Sequence, residues 1–240
     1  MAMLCFAFAT SVGVRAEMSA QAFDEVLRAH VKDGQVDYPA IAADKSLSAY
    51  VARLAEPYTP SGKPEALAYY MNAYNALAIE GILEGYSPSG FIGRQRFFKS
   101  KTYKLNGRET TLYDLEHQVI LPLGEPRIHF SIVCASKSCP KLRSEAYTPA
   151  KLESQLENNA RSFVNDSYRN NFDKANKVAR VSEIFKWFES DFNAASGSVP
   201  KFLARYVNDA EVAKDLEAGN YAIKYIDYNW GLNGISPGTR

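Results

Sequence analysis

The segment that most constrains this chain spans residues 126–147, PRIHFSIVCASKSCPKLRSEAY, where an apolar run enters a loop bounded by two cysteines. The run over residues 128–133 interleaves apolar side chains with a histidine and a serine and ends in two apolar residues, which predicts a buried β-strand. The serines and the proline between Cys134 and Pro140 then predict a turn. A thiol at the end of a core strand is held rigidly and still lies within reach of a ligand. The segment is therefore a candidate site for chemistry or for a disulfide.

Length and composition indicate one globular domain. The 240 residues can bury a full core, and an apolar content of 46% is typical of a globular protein, not of a disordered chain or a membrane bundle. The net charge is +1 and no concentrated run of Lys and Arg occurs, which argues against nucleic acid as an electrostatically bound partner. We find no internal repeat and no domain linker.

Residues 1–16 resemble a secretory signal peptide that lacks its basic start. Small and apolar residues lead to Ala16, a small residue of the kind expected at a cleavage site. The apolar run is too short to span a bilayer, so no stable membrane insertion is expected. We therefore predict a periplasmic or secreted protein whose mature single domain covers residues 17–240. Cleavage would remove Cys5 and leave the two later cysteines as a pair.

Periodicity and turn residues predict an α+β fold. The strongest helical pattern runs from Pro64 to Leu83. The pair Asn106-Gly107 between two β-prone runs predicts a hairpin, and Thr111 followed by Asp114 predicts a helix cap. The predicted helices cover residues 23–30, 39–54, 64–83, 112–121, 148–164, 184–192, 200–207 and 210–218, and the predicted strands cover residues 101–105, 108–111, 128–133, 177–181 and 221–230. We expect several helices packed on a mostly antiparallel sheet in a single domain.

Asn72 and Asn75 lie three residues apart in the predicted long helix, so both amides project on neighbouring parts of one face. Asn is unfavourable inside a helix because its side chain competes for backbone hydrogen bonds. Two such residues among apolar neighbours predict buried amides, which either tie the helix to an irregular segment or contact a ligand.

Five blocks of sequence together resemble the bacterial domain-of-unknown-function 547 family. The blocks are YYMNAYNALAI, TLYDLEHQVI, the stretch from Pro126 to Val164, VSEIFKWFESDF and IKYIDYNWGLN, and they occur in the family's order. The resemblance extends from about Phe23 to Asn233 and implies no settled activity. The candidate residues that fall within these blocks are Asn72, Asn75, Glu116, His117, His129, Cys134, Cys139, Asp227 and Trp230.

Cys134 is a candidate nucleophile for a thiol-dependent hydrolase or acyltransferase. A thiol needs a lowered pKa to react near neutral pH, and a nearby imidazole can supply it. His117 is the preferred partner, because His129 on a regular strand would point away from Cys134. Glu116 or one of the asparagines could orient the imidazole. The order of histidine before cysteine is similar to that of permuted papain-like enzymes, which would imply a permuted papain-like fold.

A disulfide between Cys134 and Cys139 is the alternative, since two thiols remain in an exported and therefore oxidised chain. Closing so short a loop stabilises a protein by about 2–3 kcal/mol. The protein would then be a non-catalytic periplasmic binding or scaffolding domain, in which the bridge pins a ligand-binding loop or forms a labile redox pair. A zinc site that adds His117 and His129 to the two cysteines is disfavoured by their spacing and by export, so no metal and no other cofactor is expected.

Further ligand-binding candidates are Cys139, Arg143, Asp227 and Trp230. Arg143 carries a guanidinium that can bind a carboxylate or phosphate through two parallel hydrogen bonds. Asp227 and Trp230 lie at the exit of the last predicted strand among polar aromatic residues, an arrangement that suits the rim of a pocket. The aromatic run over residues 187–192, in contrast, is predicted to be a core stripe. The expected partner is a small molecule, a peptide or another protein.

Overall fold

Helix α4 (Lys63–Leu83) is the longest helix in this computed structural model, which describes residues 20–237. Most of its side chains are buried, because apolar and small residues occupy nearly every face of the helix. Pro64 lies in its first turn, where no N–H donor is required. Gly85, at φ +87°, follows its end in the left-handed conformation that closes many helices. The strongest helical pattern in the sequence is thus confirmed.

The other helices follow the predicted pattern with local breaks, except the helix Gly90–Arg94 and its π-helical continuation, which lie where no helix was predicted. They are residues 20–30 (α1), Tyr38–Ala43 (α2), Ser46–Leu54 (α3), Gly90–Arg94 (α5), Leu112–Asp114 (α6), Leu152–Val164 (α7), Ile184–Trp187 (α8), Glu189–Ser196 (α9), Val199–Tyr206 (α10) and Ala210–Glu217 (α11). Helix α5 continues as a π-helical segment over Gln95–Ser100, and α6 continues as a π-helical segment over Leu115–Ile120 and a 3₁₀ turn over Leu121–Leu123.

The strands are short and form small sheets that are mostly antiparallel. They are Val31–Lys32 (β1), Gln35–Asp37 (β2), Tyr103–Leu105 (β3), Arg108–Thr110 (β4), Asn171–Asp173 (β5), Val178–Ser182 (β6), Ala222–Ile226 (β7) and Gly234–Ile235 (β8). The sheet orders are β1-β2-β8, β3-β4 and β5-β6-β7. The pairs β2/β8 and β6/β7 are parallel, and the others are antiparallel. The predicted α+β class is confirmed.

Two local predictions near the site are also confirmed. Strands β3 and β4 form the predicted hairpin, with Asn106 and Gly107 at φ +53° and +76°, as a tight two-residue turn requires. Thr111 Oγ1 accepts a hydrogen bond from the Asp114 N–H at 3.0 Å and so caps the helix that follows.

The predicted strand over residues 128–133 is wrong. Residues Pro126–Phe130 form a 3₁₀ helix, which starts with a proline and is capped by the Glu125 carboxylate accepting from the Arg127 N–H. Residues 128–131 are all buried, the histidine and serine included, so the segment has no exposed face. The alternation of apolar and polar residues therefore comes from polar side chains that are buried with their apolar neighbours. Periodicity alone does not distinguish such a segment from a half-exposed strand.

Two clusters of buried apolar residues make up the core, and helix α7 belongs to both. Its first half contributes Leu152 and Leu156 to a cluster built around α4, and its second half contributes Ala160 and Phe163 to a cluster built on β6 and helices α8 to α10. The shared helix joins the two clusters in a single domain.

The signal-peptide-like segment predicted for residues 1–16, together with Cys5, lies outside the described residues. Among residues 20–237, no helix combines the length and the apolar character needed to cross a membrane.

Candidate functional site

An open cleft of about 520 Å³ lies where the two core clusters meet. Helix α4, the two π-helical segments, the 3₁₀ helix, the cysteine loop, helix α8 and the chain after β7 all contribute to its lining. The lining includes Tyr74, Arg94, Phe98, Lys99, Tyr113, Glu116, His117, His129, Cys134, Glu183, Trp187, Phe188, Tyr228 and Trp230. Six of the predicted candidates thus line one cavity together with Trp187, namely Glu116, His117, His129, Cys134, Cys139 and Trp230.

Trp187, Tyr228 and Trp230 form one side of the cleft, which we call the aromatic wall. The ring centroids of Trp187 and Trp230 are 5.7 Å apart in a stacked arrangement, and Tyr228 lies 4.8 Å and 4.5 Å from them. Trp187 remains 44% exposed. The prediction that this residue belongs to a core stripe is therefore wrong, although Phe192 from the same run is fully buried. An exposed indole offers an apolar face on which a flat ligand can stack.

Two cationic side chains border the aromatic surfaces. The Arg94 guanidinium carbon lies 4.7 Å from the centroid of the Trp230 ring, and the Lys99 ammonium nitrogen lies 4.3 Å from that of Tyr113. Both distances are within the range of cation–π attraction, which holds each charge beside the cleft.

Glu116 lies in the π-helical segment and carries a carboxyl with a shifted pKa. Desolvation by the surrounding protein raises the pKa of Glu116 to about 7, and a hydrogen bond donated by the Tyr74 hydroxyl, at 3.4 Å, opposes the shift only in part. The side chain keeps part of its surface open. Near neutral pH the carboxyl is therefore present in both its acid and its base form.

His117 packs on the ring of Tyr113, with centroids 4.0 Å apart. Its Nδ1 lies 3.0 Å from the backbone oxygen of Tyr113. A carbonyl oxygen only accepts hydrogen bonds, so this contact places a proton on Nδ1. In the neutral imidazole, Nε2 is then the basic nitrogen.

His129 is buried and held by a carboxylate that the sequence interpretation did not select. Its Nε2 lies 2.8 Å from Oδ2 of Asp191, and its ring stacks on Phe188 with centroids 3.8 Å apart. Burial lowers the pKa of His129, and the attraction of Asp191 offsets that effect only in part. The neutral ring therefore donates its Nε2 proton to Asp191. Its Nδ1 has no hydrogen-bond partner within residues 20–237.

Cys134 and Cys139 are joined by a disulfide. This is the pairing that the sequence allowed as an alternative to a free nucleophile, and it leaves Cys134 without a thiol in this structure. Cys134 is half-buried in the wall of the cleft, and its sulfur lies 3.1 Å from Ser136 Oγ and 3.2 Å from the Tyr228 hydroxyl. Because residues 128–130 are not a strand, the expected opposition of His129 and Cys134 does not hold, and both line the cleft.

Asn72 and Asn75 each pair with backbone of the central segment. Asn72 donates to the carbonyl oxygen of Tyr147 at 2.8 Å and accepts from its N–H at 2.9 Å. Asn75 donates to the Ser131 oxygen at 3.0 Å and accepts from the Val133 N–H at 2.8 Å. Both asparagines are buried and neither lines the cleft. They tie α4 to the irregular segment, which is the first of the two roles left open by the sequence.

Arg143 and Asp227 lie away from the cleft. Arg143 donates to Asn159 Oδ1 at 2.8 Å and pairs with Glu145 beside a separate polar cavity. Asp227 is exposed after β7, which ends at Ile226 instead of reaching Trp230 as predicted. Within the described part of the chain, no group of three or more His, Cys, Asp and Glu side chains is arranged to hold a metal ion.

Asp191, Arg94 and Tyr228 were not among the predicted site residues. Asp191 lies in a helix whose periodicity identifies core positions but not partners elsewhere in the fold, and Arg94 ends the short helix α5, for which the sequence predicted no helix. Tyr228 was visible in the polar aromatic run after the last strand and was not selected.

No curated protein and no solved structure matches the chain. A family match covers α4, the hairpin, Glu116, His117, the disulfide and α7, whereas Asp191 and the aromatic wall lie beyond it. The bacterial source and the wider resemblance, from about Phe23 to Asn233, stay predictions. Residues 59–164 match the model of the family described as "Protein of unknown function, DUF547", which supports the resemblance over that segment.

Proposed function

We propose that this protein is a small-molecule-binding domain whose cleft takes a planar aromatic anion. The main support for the proposal is the aromatic wall. Trp187 stacks on Trp230 and is still 44% exposed, so its indole offers an open surface on which a flat ligand can stack. The cavity volume of about 520 Å³ falls in the range of about 300–1,000 Å³ that is usual for small ligands.

Charge around the cleft favours an anion. Arg94 and Lys99 supply two positive charges at its border. Glu116 is largely protonated below pH 7, so Glu183 is the carboxylate that opposes them there. A ligand with a flat ring and a carboxylate would stack on the indoles and pair with a cation. The periplasmic or secreted location predicted from residues 1–16 belongs to the same proposal, because a disulfide persists in an oxidising compartment.

Calorimetric titration at pH 6 with three probes tests the proposal. The probes are 2-naphthoate, 2-naphthalenemethanol, which lacks the charge, and cyclohexanecarboxylate, which lacks the aromatic face. At about −0.3 kcal/mol per non-hydrogen atom, 2-naphthoate is expected to bind with a Kd of about 1 mM or tighter. The other two probes are expected to bind about tenfold more weakly. Equal affinity for all three would contradict the proposal.

Variants locate the binding. Trp187→Ala removes an exposed ring without opening the core, and we expect it to weaken 2-naphthoate about tenfold. Arg94→Gln should reduce the preference for 2-naphthoate over the alcohol. Phe91→Ala is the matched control, since Phe91 is an aromatic residue that is 70% exposed and lies outside the cleft. If Trp187→Ala behaves like Phe91→Ala, the aromatic wall is not the binding surface.

A second candidate function is a thiol-dependent hydrolase or acyltransferase that acts through Cys134 after reduction of the disulfide. The His129–Asp191 hydrogen bond favours it, because a carboxylate that orients an imidazole is the arrangement that activates nucleophiles in many acyl-transfer enzymes. His129 would take the thiol proton and return it to the leaving group, while Cys134 forms a thioester that water or a second nucleophile cleaves.

A chromogenic ester separates this candidate from simple binding. In a chain with Cys5→Ser and Cys139→Ser, Cys134 is a free thiol, and 4-nitrophenyl acetate should release one nitrophenolate per chain in a rapid phase. We expect His129→Gln to slow that phase by about 100-fold, within the range for loss of a general base. Cys134→Ser is the control that should abolish it. A free Cys134 that reacts no faster than a small thiol in solution would contradict the candidate.

A further inference from the structure

The two sulfurs of the disulfide have unequal surroundings. Both cysteines border the open cleft, but Cys134 is half-buried, whereas Cys139 is 3% exposed. The backbone N–H of Cys134 donates to the sulfur of Cys139 at 2.9 Å. An incoming group therefore reaches Cys134, and a negative charge that develops on Cys139 already has a hydrogen-bond donor.

The loop between the two cysteines is held by hydrogen bonds that do not involve the bridge. The N–H of Lys137 donates to the Gly231 oxygen at 2.7 Å, and the Asn233 N–H donates to the Ala135 oxygen at 3.1 Å. The Arg169 Nε donates to the Cys139 oxygen at 2.8 Å. Because these contacts fix the loop on both sides, the fold can hold it in place with the bridge open or closed.

Ala135, the residue after Cys134, has φ +58°, in the left-handed region that a non-glycine residue rarely adopts. Its backbone hydrogen bond to Asn233 maintains this conformation. Strained backbone of this kind persists only where the surrounding structure imposes it, and it is frequent at reactive sites. The turn at Ala135 leaves Cys134 half-buried at the cleft, while Cys139, which also borders the cleft, is almost fully covered.

We propose that the Cys134–Cys139 bridge undergoes thiol–disulfide exchange with low-molecular-weight thiols that enter the cleft, with Cys134 as the attacked sulfur and Cys139 as the leaving group. The external thiolate forms a bond to the Cys134 sulfur while the bond between the two cysteines breaks. The electron pair of the broken bond stays on Cys139, which then takes a proton from solvent. A second external thiolate attacks the external sulfur of the mixed disulfide, releases the Cys134 thiolate and leaves a small disulfide.

Overall, two thiols are oxidised to one disulfide and the protein disulfide is reduced to two cysteines, so protons and electrons balance. The hydroxyls of Ser136 and Tyr228, at 3.1 and 3.2 Å from the Cys134 sulfur, are placed to donate to the thiolate released in the second step.

This exchange is independent of the proposed binding of an aromatic anion. The exchange is measured by mass spectrometry of the cysteine adducts and the binding by calorimetry, so either proposal can fail while the other holds.

The first experiment tests which of the two cysteine sulfurs the external thiol attacks. In a Cys5→Ser background, the folded protein is treated with 2-mercaptoethanol, quenched in acid, labelled with N-ethylmaleimide and mapped by peptide mass. We expect the mercaptoethanol adduct on Cys134 to exceed that on Cys139 by at least tenfold. The same protein unfolded in urea is the matched control, in which burial no longer protects Cys139 and the two adducts should be similar.

Single-cysteine variants test the same asymmetry in reverse. With bis(2-hydroxyethyl) disulfide, Cys139→Ser should form its mixed disulfide at least ten times faster than Cys134→Ser. If thermal unfolding shows that a serine variant is not folded, Cys139→Ala and Cys134→Ala replace the serine variants. Three results would overturn the proposal: an adduct found mainly on Cys139, equal rates for the two variants, or a native bridge that resists mercaptoethanol at concentrations that open it in the unfolded chain.

Discussion

The imidazole of His129 and the carboxylate of Asp191 lie 2.8 Å apart, although 62 residues separate them in the chain. His129 belongs to the 3₁₀ helix that leads into the cysteine loop, and Asp191 belongs to α9. The pair therefore connects the segment that leads into the cysteine loop to helix α9 of the second core cluster. It also fixes which nitrogen of the buried ring carries the proton.

The first prediction concerns the protonation of His129. Burial holds its pKa below the usual value for histidine, while Asp191 acts in the opposite direction. In a titration followed by NMR, the ring of His129 should protonate below the usual pKa of about 6.5. Asp191→Asn should lower the pKa of His129 further, because it removes the raising influence. His129→Gln identifies the signal. A midpoint at or above the usual value, or a rise in Asp191→Asn, would contradict the assignment.

The second prediction concerns Asn75, which pairs with the backbone on both sides of Ile132. Asn75→Ala leaves the Val133 N–H without a side-chain partner in the interior, whereas the Ser131 oxygen keeps the hydrogen bond donated by the Tyr147 hydroxyl. At about 1–3 kcal/mol for an unsatisfied buried group, we expect the free energy of unfolding in urea to fall by about 1–3 kcal/mol. Asn208→Ala, at an exposed asparagine, should change it by less than about 0.5 kcal/mol. A loss below about 1 kcal/mol for Asn75→Ala would show that the pairing is dispensable.

The third prediction concerns Glu116 and stability. Its pKa in the folded protein is about 7, above the ordinary 4.5, so the folded chain keeps a proton that the unfolded chain releases between these values. The stabilising contribution of this proton is complete below about pH 4.5 and is lost as the pH rises through 7. The Gln side chain of Glu116→Gln cannot ionise, so at pH 8 this variant should be more stable than the native chain by about 1–2 kcal/mol. This figure is smaller than the pKa shift alone would give, because the side chain is partly open to solvent. At pH 4.5 we expect no gain in stability.

Glu217→Gln, at an exposed position, is the control for this measurement and should show no such dependence on pH. If the difference between Glu116→Gln and the native chain is the same at both pH values, the carboxyl is not held in its acid form by the fold.

The fourth prediction concerns the effect of Glu116 ionisation on ligand binding. Ionisation of Glu116 above pH 7 adds a negative charge to the cleft, where it opposes Arg94 and Lys99. Calorimetry should therefore find that 2-naphthoate binds about three- to tenfold more weakly at pH 8 than at pH 6. Glu116→Gln should reduce this difference, because the variant side chain cannot ionise. An unchanged pH dependence in the variant would separate Glu116 from the binding site.

Local features of this fold could be predicted from the sequence, and contacts between distant segments could not. The long helix with Pro64 in its first turn and the hairpin at Asn106-Gly107 depend on neighbouring residues, so their patterns are specific. The segment over residues 128–133 is buried on every side, and its sequence carries no periodicity that separates a strand from a 3₁₀ helix. The disulfide itself was among the predicted alternatives, because two cysteines would remain in an exported chain.

The site was predictable only in part. Glu116, His117, His129 and Cys134 were recognised from their residue types and do line the cleft together. Asp191 was not, because its role depends on where α9 packs against the 3₁₀ helix. Trp187 was assigned to the core for a related reason: helical spacing does not show which side of an aromatic run stays open to solvent.

The most direct test of the account uses the two tryptophans of the chain, because both belong to the aromatic wall. In a ¹H–¹⁵N NMR titration with 2-naphthoate at pH 6, the indole N–H signals of Trp187 and Trp230 should both shift along one saturation curve, because the ligand ring stacks beside them. Indole signals that stay fixed while backbone signals elsewhere in the protein shift would contradict the assignment of this cleft as the ligand-binding site.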